Sequence, residues 1–198
     1  MKEPYYQDKW VTIYNGDCRE ILPDLPKADM VLTDPPYGLG KRLAGGTWGQ
    51  HDDWDLQTND IVLEIIKQDA IIWGGQYYEL PTNRGWLIWY KRGAPPSIGD
   101  AELAWTNLDM NIKLFDYPIA AVNAERNGHP TLKPLALFSW CLSLVPNANI
   151  ILDPFLGSGT TARASKNLNR HCIGIEIEEK YCEIAAKRCS QEVMELGI

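Results

Sequence analysis

The chain has no Cys-x-x-Cys pair, no histidine cluster, no long apolar run and no excess of positive charge. Each absence excludes a class of protein. The five cysteines (18, 141, 172, 182 and 189) are odd in number and lack framework spacing, which predicts free thiols in a reducing compartment. The three histidines (51, 129 and 171) are too dispersed for a zinc signature, so no metal is expected. No segment reaches the length of a membrane span, and Met1-Lys2-Glu3-Pro4 opens no apolar leader. A soluble, cytoplasmic protein with no membrane partner is the expectation. A net charge of −7 and a pI of about 5.0 argue against a broad phosphate-binding surface. Contact with a nucleic acid would then fall to local patches such as Lys41-Arg42, Arg84 and Lys91-Arg92.

What is present fits an ordinary globular protein. A chain of 198 residues, 45% hydrophobic and 23% charged, predicts a single domain over 1–198. Eight Trp and nine Tyr suit a core with aromatic anchors, or a cleft that stacks planar ligands. Apolar alternation predicts strands over 10–14, 29–33, 70–73, 86–90, 101–106, 112–117, 149–152 and 172–177. Helices are expected over 18–22, from Thr58 to 68, from Pro134 to 144, over 160–168 and from 179 to about 196. Residues 38–55 are Gly-rich without periodicity and read as a long surface loop, while 123–133 read as polar and irregular. Strands alternating with helices predict an α/β fold with a largely parallel sheet and helices on both faces.

Two stretches carry chemistry. Asp34-Pro35-Pro36-Tyr37 follows the strand over 29–33 and sets a carboxylate, two residues of locked φ and an aromatic ring at the mouth of a sheet. By itself it is a proline turn closing a strand. The second stretch is Asp153-Pro154-Phe155-Leu156-Gly157-Ser158-Gly159-Thr160-Thr161, between a strand and a helix. Gly157-x-Gly159-x-x-Ala162 has the spacing of a dinucleotide-type loop, in which glycine admits close approach of a ligand to the backbone. Glu176 closes the next strand, at the separation where an acid meets a ribose diol. The loop predicts an adenosine-bearing cofactor, NAD or S-adenosylmethionine (SAM). Asp153 favours SAM, whose methionine carries an ammonium, because a carboxylate repels a pyrophosphate.

Taken together, Asp34 to Tyr37 and Asp153 to Thr160 resemble the exocyclic-amine DNA methyltransferases. With the catalytic motif first and the SAM loop last, the order is similar to their circularly permuted β class. Gly16-Asp17-Cys18, His129-Pro130-Thr131-Leu132-Lys133-Pro134 and Ile173-Gly174-Ile175-Glu176 resemble further motifs of that class, and the matches run over about 14–188. The resemblance implies a Rossmann-like methyltransferase fold, circularly permuted, and methyl transfer to a base flipped out of double-stranded DNA. Asp34 and the Pro35 carbonyl would each accept one amine N–H, with Pro36 fixing the turn and Tyr37 stacking on the base. Asp153, Phe155, Gly157, Ser158, Gly159 and Thr160 would hold the methionine end of SAM, and Glu176 the ribose. Asp17 and Cys18 would lie near the adenine, and His129, Thr131 and Lys133 at the cofactor's carboxylate. Lys41, Arg42, Lys91 and Arg92 are the candidate DNA contacts. Only 92–127 is left for target recognition, which suggests a contribution from 38–55 or from a second subunit in a homodimer. An aspartate in the first position is the usual adenine-N6 form of the motif, with cytosine N4 as the alternative. Other readings are a non-catalytic SAM-binding subunit, an NAD-linked oxidoreductase, and methylation of RNA or of a protein amide.

Overall fold

The computed structural model describes residues 2–37, 59–96, 98–125 and 133–191. Among them, the order is β1 (Tyr6–Gln7), β2 (Val11–Asn15), α1 (Cys18–Ile21), β3 (Met30–Thr33), α2 (Asn59–Ile65), β4 (Asp69–Trp73) and β5 (Trp86–Tyr90). There follow β6 (Ala101–Thr106), β7 (Lys113–Asp116), α3 (Ile119–Glu125), α4 (Leu135–Ser143), β8 (Ile150–Asp153), α5 (Thr160–Asn167), β9 (His171–Glu176) and α6 (Glu179–Ser190). The expected strands and helices within the described residues are all found. The short β1 was not expected, and α3 enters a stretch read as irregular. Pro134, expected in the first helical turn, is instead the extended residue that caps α4.

The strands form one sheet in the order β1-β2-β9-β8-β3-β4-β6-β5-β7. Neighbours from β2 to β4 are parallel, whereas β1 and β6 run against their neighbours. β3 is buried along its whole length, as a parallel strand covered on both faces must be. Alternation sorts its side chains. Met30 and Leu32 join Ile71, Trp73 and Ile151 against α3 and α4, while Val31 joins Ala70, Ile72, Leu152 and Ile175 against α1 and α2. A third cluster sets Val11, Ile13 and Cys172 under Cys182, Ala185 and Cys189 of α6. All five cysteines are buried free thiols, as expected. The α/β, mostly parallel, Rossmann-like architecture follows.

This topology places the chemistry. Parallel strands β2, β9, β8, β3 and β4 all end at the same edge of the sheet, so Asp17, Glu176, Asp153, Asp34 and Gly74 come at or just after their ends there, in a row. Because β6 is antiparallel, its start and not its end reaches that edge, and Glu102 arrives opposite Trp89. The region 92–127, expected to recognise the DNA target, supplies β6, β7 and α3, so most of it is built into the sheet and its covering layer. Residues 38–55, with Lys41 and Arg42, lie outside the described residues, as do His129, Thr131 and the chain beyond 191.

Candidate active site

The cofactor-type loop is fastened from three sides. Asp153 ends β8 and is 2% exposed. Its Oδ1 accepts from the Thr33 hydroxyl at 2.6 Å and the Phe155 N–H at 3.1 Å, and its Oδ2 accepts from the Thr161 hydroxyl. Burial pushes this carboxyl up to about 6, against the downward pull of the Thr161, Thr33 and Phe155 donors. Asp153 was expected to face a ligand's ammonium. The structure instead gives its oxygens to three protein donors and makes it the pin between β3, β8 and α5.

Glu176 ends β9, and its two oxygens accept the N–H groups of Gly157 and Glu178, each at 2.8 Å. Burial raises its pKa, opposed by those two N–H groups. Gly16 N–H donates to the Glu176 carbonyl at 2.9 Å, which ties the end of β2 to the same corner. There Asp17 caps α1 by accepting from the Arg19 N–H, and the buried Cys18 thiol is pushed up to about 11 by desolvation and Asp17. Arg188 on α6 grips the loop from behind, donating to the Ser158 carbonyl at 2.9 Å, the Ser158 hydroxyl at 3.2 Å and the Thr160 hydroxyl at 3.3 Å. Ser158 and Thr160 are buried, so the half-buried Phe155 and Gly157 form the loop's open rim.

The second half of the site grows from β3. The Tyr37 hydroxyl donates to Asp34 Oδ1 at 2.7 Å, and the Tyr78 hydroxyl donates to the Pro36 carbonyl. Tyr37 packs against Tyr77, with ring centroids 5.0 Å apart and planes 31° apart. Gly74 makes room for this ring, since a Cβ there would lie 2.0 Å from Tyr37 Cε1. Burial and the adjacent Asp34 carboxylate raise the Tyr37 phenol well above its usual range.

Lys133, expected at a cofactor's carboxylate, is placed against Asp34. Its Nζ lies 2.5 Å from Asp34 Oδ2 and 3.1 Å from Glu102 Oε2, and donates to the Tyr37 hydroxyl at 3.2 Å. Burial would discharge this lysine, but Asp34 and Glu102 outweigh that cost and hold its pKa well above the usual value. Lys91, expected at a DNA surface, turns inward and pairs with Glu102 Oε1 at 2.6 Å. Arg92 stays 60% exposed and pairs with Asp116 at 3.4 Å.

Sequence reading thus missed Thr33, Thr161, Glu102, Tyr77, Tyr78 and Arg188. Thr33 and Thr161 adjoin the two motifs and could have been found as hydroxyls next to essential carboxylates. Glu102 carries no local signal. Among the described residues no cluster of His, Cys, Asp or Glu could hold a metal ion, and no helix is long and apolar enough to cross a membrane.

An open glycine rim beside a buried acid and a Pro-Pro carboxylate on the same sheet edge together suit a SAM-dependent methyltransferase of planar amines. The model of the N6/N4 DNA methylase family matches residues 72–187. The chain is 46% identical to the type II methyltransferase M.BglII of Bacillus subtilis, over 91% of this chain and 69% of that protein. It is 26% identical to the type II methyltransferase M.ScaI of Streptomyces caespitosus, over 99% of this chain and 86% of the other. Among solved structures, the M1.HpyAVI–SAM complex superposes with a TM-score of 0.63 at 26% identity, covering 91% of this chain and all of that one. The chain belongs to the N6/N4 family of DNA methylases, and SAM is its cofactor. The residues present fit that cofactor: a Cβ at Gly157 would meet nothing within 4 Å, so the rim is open to a ligand, and Glu176 stands beside it.

Proposed function

We propose that the protein methylates the N6 amine of adenine in double-stranded DNA, acting at specific sites on a base flipped out of the helix. One observation carries this reading. The Thr33–Asp153 hydrogen bond joins the amine-handling motif to the cofactor loop, so Asp34 stands one residue from a fixed point of the SAM site. SAM supplies a methyl group already activated on a sulfonium, so the protein's work is orientation and electrostatics. An exocyclic amine is a weak nucleophile because its lone pair is delocalised into the ring. Asp34 and the Pro35 carbonyl each accept one N–H, the nitrogen pyramidalises, and its lone pair is aimed at the methyl group. The bound cofactor would supply the methyl group with its sulfur as leaving group, and Asp34, already hydrogen-bonded to the amine in this reading, would be placed to take the proton the amine gives up. Tyr37 holds the ring by stacking.

In this reading Phe155 and Gly157 face the methionine end of SAM, with Asp153, Ser158, Gly159 and Thr160 shaping the loop and Gly159 making room for Ala185 of α6. Glu176 takes the ribose, and Asp17 and Cys18 border the adenine. The choice of adenine rests on the aspartate at the first motif position. The cytosine-N4-specific PvuII methyltransferase shares the fold at a TM-score of 0.68 with 17% identity, so the fold itself favours neither base. The protein works as the methylating half of a restriction–modification pair, as the names of its type II relatives suggest. A homodimer supplies the DNA-binding surface that one chain, with Lys91 turned inward, has little room to provide.

The test is transfer of labelled methyl from SAM to unmethylated DNA, followed by digestion to nucleosides. N6-methyladenine is expected, and N4-methylcytosine alone would overturn the adenine assignment. Asp34→Ala should lower kcat by roughly 100- to 1000-fold, the usual loss for one preorganised polar group. Sedimentation equilibrium should return twice the chain mass, and a fully active monomer would exclude the dimer.

A further inference from the structure

Four charged side chains, Lys133 buried and the other three partly buried, form a line that ends on the catalytic carboxylate. Lys91 meets Glu102 Oε1 at 2.6 Å, Glu102 Oε2 meets Lys133 at 3.1 Å, and Lys133 meets Asp34 Oδ2 at 2.5 Å. The Lys133 and Lys91 side chains are only 8% and 11% exposed. The two cations balance the two carboxylates. Buried ion pairs are a poor source of stability, because desolvation cancels most of the attraction. Such a line is better explained by what it holds in place, and what it holds is an ammonium beside Asp34.

Asp34 Oδ2 and Lys133 Nζ lie side by side, an acceptor next to a donor. A carboxamide offers the same pair, and this is how Asn or Gln reads an amine and its neighbouring ring nitrogen on adenine. A flipped base presents its Watson–Crick edge. On adenine that edge is the N6 amine beside N1, and on cytosine the N4 amine beside N3. Guanine and thymine carry a ring N–H at the corresponding place, which would face the ammonium donor to donor. Both partners have capacity to spare. A carboxylate has about four acceptor sites, of which Asp34 uses one on each oxygen. Lys133 donates one N–H to Asp34, its ion pair with Glu102 Oε2 makes no hydrogen bond, and another N–H reaches the neutral Tyr37 hydroxyl at 3.2 Å. That last bond is not charge-assisted on both sides and is the one to exchange.

We propose that Lys133 donates to the ring nitrogen next to the reactive amine, N1 of adenine, while Asp34 accepts the amine N–H, and that Glu102 and Lys91 are positioning residues that aim Lys133. The inference rests on the amine-methylation reading above. It makes the lysine part of base selection and explains why a glutamate on the antiparallel strand is brought to the site.

The test compares DNA containing adenine with DNA containing 1-deazaadenine, in which N1 is a C–H, at the target position. The change in intrinsic amine reactivity is common to all enzyme forms and cancels when their penalties are divided. For the parent enzyme the deaza penalty in kcat/KM should exceed that of Lys133→Met by roughly 10- to 100-fold, the worth of one base-reading contact. Equal penalties would show that Lys133 acts only by holding Asp34, and would overturn the proposal. Glu102→Gln, which keeps the shape and leaves the cofactor loop untouched, should shrink the deaza penalty while SAM affinity stays within experimental error, with some loss of stability because Lys91 and Lys133 then share one carboxylate. Glu102→Asp should restore part of it. An unchanged penalty in Glu102→Gln would remove Glu102 and Lys91 from the scheme, and serves as the second variant should Lys133→Met not fold. If the parent methylates cytosine instead, the same comparison with 3-deazacytosine applies. Failure of the adenine assignment and failure of this inference are therefore separate results.

Discussion

The hydroxyl of Thr33 donates to Asp153 Oδ1 at 2.6 Å, across 120 residues of sequence. Thr33 is the last residue of β3 and Asp153 the last of β8, and the two strands are parallel neighbours. This bond therefore joins the first residue of the cofactor loop to the residue preceding Asp34. Thr33→Val keeps the shape and strand preference but leaves a buried carboxylate short of one donor. It should cost about 1–3 kcal/mol in urea denaturation and weaken SAM binding in calorimetry. A variant with parental stability and affinity would show that Thr161 and the Phe155 N–H suffice.

Asp153 also makes stability depend on pH. Its pKa is raised to about 6 from an ordinary 3.8. Between those values the native state holds more protons than the unfolded chain, so this group's contribution is present at low pH and is lost as pH rises through 6. At about 1.4 kcal/mol per pH unit, the buried charge costs roughly 3 kcal/mol at neutral pH. Asp153→Asn removes this titration. Urea melts should show the stability difference moving in the variant's favour by about 2–3 kcal/mol between roughly pH 4 and pH 7. A difference that does not change with pH would contradict the assignment.

Gly157 separates folding from binding. Its φ is +52°, and no atom lies within 4 Å of where a Cβ would stand. Gly157→Ala therefore costs only the left-handed backbone conformation, about 1–2 kcal/mol. The added methyl group would, however, project into the space that the proposed cofactor position occupies. Calorimetric SAM affinity should fall by more than the loss of stability explains. An unchanged affinity would move the cofactor away from this rim.

Gly74 does the same for the proposed base site at Tyr37. A methyl group at this position would lie 2.0 Å from the Tyr37 ring, and the backbone φ is +70°. Gly74→Ala should displace Tyr37, raise KM for DNA and lower kcat, and leave SAM affinity near that of the parent because the glycine loop lies two strands away. Measuring both affinities on one preparation decides the point. Parallel losses of SAM and DNA binding would indicate general unfolding and not a displaced ring.

The motif residues were legible because each motif is local. A buried strand ending in Asp34-Pro35-Pro36-Tyr37, or in Asp153 before a glycine loop, announces itself within ten residues through β-branched alternation, proline and glycine. The strands were legible for the same reason, since a sheet covered on both faces demands continuous apolar runs. α3 was not, because its short sequence is capped by no strong signal and its helix is held by Ile119 and Val122 packing into the core. Lys133 was visible as part of the His129–Pro134 motif, read there as a cofactor contact, and Lys91 only as part of a basic pair.

Thus the sequence by itself determined the strand-and-helix order, the two ligand-handling motifs and the kind of amine chemistry they serve. The tertiary structure alone decided the electrostatic partners. Lys133 finds Asp34 across 99 residues, and Glu102 reaches both only because β6 runs antiparallel and delivers its start to the edge where the other strands end. Strand direction within a sheet is set by pairing between distant segments. No periodicity or spacing along the chain records it.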